Sequence, residues 1–173
     1  METTRNNLTP YAETFFNNLK STLNTKLYFF GSVQRSDYFP KSSDIDVDIF
    51  TDNMQSTLYK LQSFLNVNRN MFKPIIVKLS YKNNIIHGYK IYYEKPEHYF
   101  ATEFSIYDEK YKEDILYEHN SKRELPFLAT VLLVCIKFLY YELNIFPKFL
   151  YKSCKEFILS YLICRKSNDF VVM

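Results

Sequence analysis

Phe29-Phe30-Gly31-Ser32, followed eleven residues later by Ser43-Asp44-Ile45-Asp46-Val47-Asp48-Ile49-Phe50, decides the reading of this chain. Only two glycines occur in 173 residues, and one stands immediately before Ser32. A chain this poor in glycine keeps each one for a backbone need that other residues meet badly. Here the need is a sharp exit from an apolar strand, with bare backbone turned towards a bound group. In the second stretch the side chains alternate with period two, so a strand over 43–50 sends Ile45, Val47 and Ile49 into the core. Asp44, Asp46 and Asp48 then project together from the other face. Aspartate is a poor strand residue, and three stacked like charges call for a cation. Hard carboxylate oxygens in this arrangement suit Mg²⁺, which bridges carboxylates to phosphates. Backbone N–H groups and a hydroxyl at Gly31-Ser32 suit phosphate oxygens. A phosphate cradle beside a metal points to nucleotide chemistry.

Upstream, Thr9-Pro10 reads as a helix start, and Tyr11, Phe15, Phe16 and Leu19 continue at helical spacing, predicting a helix over 10–23. Residues 26–30 read as a short strand. Downstream, Leu58, Leu61, Phe64 and Leu65 mark a helix over 54–67. Strands follow over 73–81 and 85–93, joined through Lys82-Asn83-Asn84, and a further strand over 99–107. The remainder reads as helices over 109–118, 125–143 and 147–164, with the last residues fraying. The order predicts an α+β fold: a small mixed β-sheet with flanking helices and a C-terminal helical segment. We divide it into a catalytic domain, 1–119, and a helical extension packed on it, 120–173.

The composition, 47% hydrophobic and 24% charged, supports a folded core and excludes wholesale disorder. A net charge of +3 permits a polyanionic partner without demanding one. Three cysteines, without CxxC or Cys/His metal spacing, and a polar start to the chain fit an intracellular, cytoplasmic setting. The longest apolar run, 125–136, ends at Lys137 and falls short of the ~20 residues of a membrane span.

Gly31-Ser32 followed by Ser43-Asp44-Ile45-Asp46 resembles the signature of the DNA polymerase β-type nucleotidyltransferase superfamily. The resemblance implies a palm-like mixed sheet and transfer of a nucleoside monophosphate from an NTP, ATP included, to an acceptor hydroxyl. It also implies a third carboxylate on a later strand. Glu103 in Thr102-Glu103-Phe104-Ser105-Ile106 offers it, with Phe104 and Ile106 as the buried face; Asp108 is the alternative, at the strand end and on the opposite parity. On this resemblance Asp44, Asp46 and Glu103 are the catalytic residues and the ligands of two Mg²⁺ ions, with Mn²⁺ able to substitute. Gly31, Ser32 and Arg35 are assigned to the nucleotide. Lys137, in a segment with a faint similarity to the poly(A) polymerase and terminal uridylyltransferase branch, is assigned to the triphosphate. The leading acceptor is a nucleic-acid 3′ end, with a protein or a small molecule as alternatives.

Asp48 lies a further ~6–7 Å along the acidic face and reads as a supporting residue. Lys137 interrupts an apolar helix, so it either snorkels to the surface or meets an anion. His87, His98 and His119 have no ligand spacing and read as surface or hairpin residues. The aromatics are mostly core, although one could stack on a base, and nothing in the sequence says which. Lys148, Lys152, Lys155, Arg165 and Lys166 give the last helix a basic face. The rival readings are a compact repair polymerase of the same superfamily and a non-catalytic binding module that retains the fold.

Overall fold

Thr9 sets the first element: its Oγ1 accepts from the Ala12 N–H at 3.3 Å, and Pro10 opens helix α1 (Pro10–Leu23). The helix buries Ala12, Phe15, Phe16, Leu19 and Leu23 and ends at Asn24 in the left-handed region. We describe residues 2–79, 84–121, 123–162 and 171–172 of a computed structural model. The expected turn at 82–84, Cys164, Arg165 and Lys166 fall wholly or largely outside them.

Strands β1 (Leu27–Phe30), β2 (Ile45–Thr51), β3 (Lys73–Lys78), β4 (Ile85–Lys95), β5 (Phe100–Asp108) and β6 (Val171–Val172) form one mixed sheet in the order β1-β2-β5-β4-β3-β6. Only β2 and β5 run parallel; the other neighbours are antiparallel. The α+β architecture thus matches the sequence reading. Helix α2 (Met54–Leu65), capped by Asn53, packs with α1 on one face of the sheet, where Ile45, Val47, Ile49, Ile91, Phe104 and Ile106 are buried.

The opposite face is covered unevenly. Helix α3 (Lys112–Ser121) places Ile115 over Tyr28, Phe50 and Tyr107 at one end. Helices α4 (Phe127–Tyr141) and α5 (Lys148–Phe157) share a core of Ala129, Leu133, Ile136 and Tyr151. Among the described residues no helix is long and apolar enough to cross a membrane.

Several boundaries moved. Asp44 lies just ahead of β2 rather than within it. Tyr99, expected at the start of a strand, is a left-handed cap with φ 49° before β5. Expected fraying of the last residues gives way, at Val171–Val172, to pairing with Ile75 and Ile76. No hydrophobic period announces a two-residue edge strand.

Candidate active site

The sheet register assembles the site. Phe30 pairs with Asp46, Asp46 with Glu103, and Glu103 with Tyr92, so four strands contribute to one transverse row. The next row is Tyr28, Asp48, Ser105 and Lys90. Asp44 stands exposed at the mouth of β2, Asp46 is half-buried, and Asp48 is buried as the strand runs under α3. The Thr102 hydroxyl donates to the Ile45 carbonyl at 2.8 Å, fixing the backbone between the first two acids.

Gly31 begins a single 3-10 turn, Gly31–Gln34, with φ 69°, in the left-handed region that glycine enters without cost. A Cβ on Gly31 would overlap Asp46 Oδ2 and stand 2.9 Å from Asp46 Cγ. The glycine therefore serves two needs at once: it turns the chain, and it leaves room for the Asp46 carboxylate. Gly31→Ala costs ~1–2 kcal/mol in backbone conformation. We expect a larger functional loss, roughly a hundredfold in kcat, because the carboxylate must move. Thermal melting beside steady-state kinetics separates the two effects. Ser32 follows with its Oγ buried and without a hydrogen-bond partner, as a hydroxyl reserved for a bound group would be.

The turn is tied down by an N-terminal strap that the sequence reading passed over as merely polar. Asn6 Nδ2 donates to the carbonyls of Val33 at 2.9 Å and Arg35 at 2.7 Å. Gln34 Nε2 donates to Thr3 O at 2.6 Å and Phe29 O at 3.2 Å. Nothing in a lone Asn or Gln signals such contacts beforehand.

Arg35 and Lys137 are drawn together by Asp37, in the loop ahead of β2. Arg35 donates from Nε at 2.8 Å and from Nη2 at 3.1 Å to the Asp37 carboxylate. Lys137 Nζ lies 2.9 Å from Asp37 Oδ2 and donates to the Asp37 carbonyl at 2.6 Å. Of the two alternatives for Lys137, the anion is the outcome. Burial raises the Asp37 pKa, but the two cations more than reverse this and hold it at about 2. Burial lowers the Lys137 pKa, with Asp37 opposing it. These contacts tether α4 to the loop between the Ser32 turn and β2.

The acids crowd one another. Burial, then the charges of Asp44 and Glu103, raise the Asp46 pKa well above the ordinary carboxylate range. Lys155 on α5 and Lys90 on β4 act in the opposite sense. Glu103 Oε1 lies 2.8 Å from Lys90 Nζ. Among the described residues, no three His, Cys, Asp or Glu side chains are gathered tightly enough to hold a metal as they stand. Asp108, the alternative third acid, accepts from the Lys110 N–H and pairs with the Lys110 side chain, and its strand partner is Thr51. Glu103 is the carboxylate opposite Asp46.

The family model of the nucleotidyltransferase domain matches residues 12–138, from α1 to the residue after Lys137. The chain belongs to that family. No curated protein matches it. Membership gives this nucleotidyltransferase domain a general transferase activity with an NTP as substrate.

Other features of the domain were hidden in the sequence. His119, read as a surface residue, stacks on Phe30 with ring centroids 3.9 Å apart and brings Nε2 within 2.8 Å of Asp48 Oδ2. Burial raises the Asp48 pKa, and His119 opposes the rise. Tyrosines gather around Asp44. Burial and the Asp44 charge push Tyr38 up to about 12, while Tyr141 and Tyr151 are raised chiefly by burial and also feel that charge. With 16 tyrosines in the chain, no local pattern marks these.

Proposed function

We propose that this domain transfers a nucleoside monophosphate from an NTP to an acceptor hydroxyl, with Mg²⁺ held by Asp44, Asp46 and Glu103. The observation that carries the reading is the row Phe30–Asp46–Glu103, with Gly31 making room for the Asp46 carboxylate. The donor set fits a hard divalent cation: carboxylate oxygens of Asp46 and Glu103 on adjoining strands with Asp44 just ahead of β2, and an Asp46 destabilised by the very charges that a cation would neutralise. Glu103 would exchange the ammonium of Lys90 for the metal. The bound cation, two ions in our reading, would polarise the phosphate and lower the pKa of the acceptor hydroxyl.

The rest falls to the chain itself. The turn amides and Ser32 Oγ bind the terminal phosphates. Lys155 and Lys90 lend positive charge where the triphosphate gathers. Asp37, through Arg35 and Lys137, keeps the turn and α4 in register, a holding role for two residues first assigned to the nucleotide. A nucleic-acid 3′ end is the leading acceptor.

The test is pyrophosphate release with Mg²⁺, each NTP in turn, and oligonucleotide, protein and small-molecule acceptors. Release that requires both metal and acceptor supports the reading. Mg²⁺-dependent NTP binding without release under any condition contradicts it and leaves a binding module.

A further inference from the structure

Helix α4 is apolar on every side. Lys137 is the one charged residue among its 15, and that lysine is buried against Asp37. A helix of this composition is ordinarily covered all round. Here the cover is on one side, where Ala129, Leu133 and Ile136 pack with Tyr151 of α5. The other side stands in water. Phe127 is 84% exposed, Leu128 59%, Phe138 47%, Val131 39% and Leu132 36%, and Cys135 is exposed with them.

At about 100° per residue, Leu128, Val131, Cys135 and Phe138 fall on one line along the helix. Lys137 lies well round the helix from this line, so whatever covers the stripe leaves its bond to Asp37 alone. The spacing of the line is three, four, three, which reads the same in both directions. Its bulky members stand at the ends and its small ones at the centre. Set against a copy of itself running the opposite way, about a two-fold axis level with Leu133, Leu128 would meet Phe138 and Val131 would meet Cys135. Small side chains then face small ones at the closest approach, and large face large beyond it. An isologous contact requires this self-complementarity, and a partner of another sequence does not. The six exposed side chains leave on the order of 500 Å² in water. Two copies would remove about 1,000 Å², the threshold for a specific interface. Leu143 and Ile145, 49% and 66% exposed beyond the end of the helix, are extra to that area. The nearest charges lie at the rim: Arg123 and Glu124 ahead of the helix, and Glu142 at its end.

We propose that a second copy of this chain covers the stripe, α4 pairing antiparallel with α4 in a two-fold homodimer. The pairing stands apart from the transferase reading, because it uses a face of α4 turned away from Lys137 and needs no nucleotide. With no charge in the stripe, the dimer is held by apolar burial, and its affinity changes little with salt.

The experiment is sedimentation velocity of the full chain under reductant, without nucleotide or metal, beside Val131→Glu, Cys135→Lys and an equal mixture of the two. The unmodified chain should sediment at twice the 20.9 kDa mass of one copy, with a Kd on the order of 10 μM or tighter. Both substituted positions are exposed in the single chain, so each variant keeps its fold, which far-UV circular dichroism checks. Either new charge, desolvated at the centre of the pair, should weaken association at least roughly tenfold. In the mixture the new carboxylate of one chain faces the new ammonium of the other, and a heterodimer within about threefold of the unmodified affinity should return. An unmodified chain that stays monomeric at about 100 μM overturns the proposal and leaves the stripe to a chain of different sequence. Dimerisation of Val131→Glu as tight as that of the unmodified chain also overturns it, placing the contact elsewhere on the surface. A mixture that remains monomeric overturns the antiparallel pairing of Val131 with Cys135.

Discussion

Asp46→Asn abolishes nucleotidyl transfer, by at least roughly a thousandfold, while the fold persists. Asp46 is the acid that everything else frames: Phe30 on one side, Glu103 on the other, and Gly31 beneath its carboxylate. Asparagine is nearly isosteric, so packing against Gly31 survives, but the charge that would hold a cation is gone. Stability should move the other way. The folded-state pKa of Asp46 is raised above its ordinary value, so the folded protein binds the proton more tightly than the unfolded chain. Stability from this group therefore falls as pH rises through the unfolded pKa near 4 towards the folded value. Metal-free wild type should show that fall, and Asp46→Asn should not. Thermal melting in chelator between pH 4 and 8 checks the sign. Loss of activity accompanied by a collapse in melting temperature would make Asp46 a structural residue.

Asp37→Asn unfolds the domain more readily than removal of either cation. Its carboxylate is fully buried and meets both Arg35 and Lys137. Neutralising it leaves an ammonium that is 2% exposed without a counter-charge. Breaking a buried pair from one side costs about 3–5 kcal/mol. Lys137→Met should cost less, because Arg35 still serves Asp37, and the double variant Asp37→Asn/Lys137→Met should recover part of the loss. Urea midpoints at neutral pH measure all three. With a folded pKa of about 2 against an ordinary 3.8, the stabilisation by Asp37 is complete above the unfolded value and fades as pH falls from about 4 to 2. An Asp37→Asn protein as stable as Lys137→Met would contradict the account.

The strand pattern around Asp46 was legible because period-two alternation, a rare glycine and crowded acids are all local signals. The resemblance called for a third acid, and parity then turned Glu103 towards the acidic face, with Phe104 and Ile106 buried on the other. What stayed hidden was long-range. Asp37 meets Lys137 across 100 residues, and no spacing rule links a loop acid to a lysine in an apolar helix. His119 was set aside for want of a ligand pattern, yet α3 lays it on Phe30 and against Asp48. The sequence showed a cation near Ser32 at Arg35 but not the buried acid two residues on that it meets. Tyr92 needed the β4–β5 register before it could be singled out from the other tyrosines.

The most direct measurement follows two labels of one NTP. With Mg²⁺ and an oligonucleotide acceptor, label on the α-phosphate should enter the acceptor while label on the γ-phosphate leaves as pyrophosphate in equal amount, and both should cease in chelator. Label from the γ-phosphate in the acceptor, or release of labelled phosphate without any gain by the acceptor, would contradict nucleotidyl transfer at Asp44, Asp46 and Glu103.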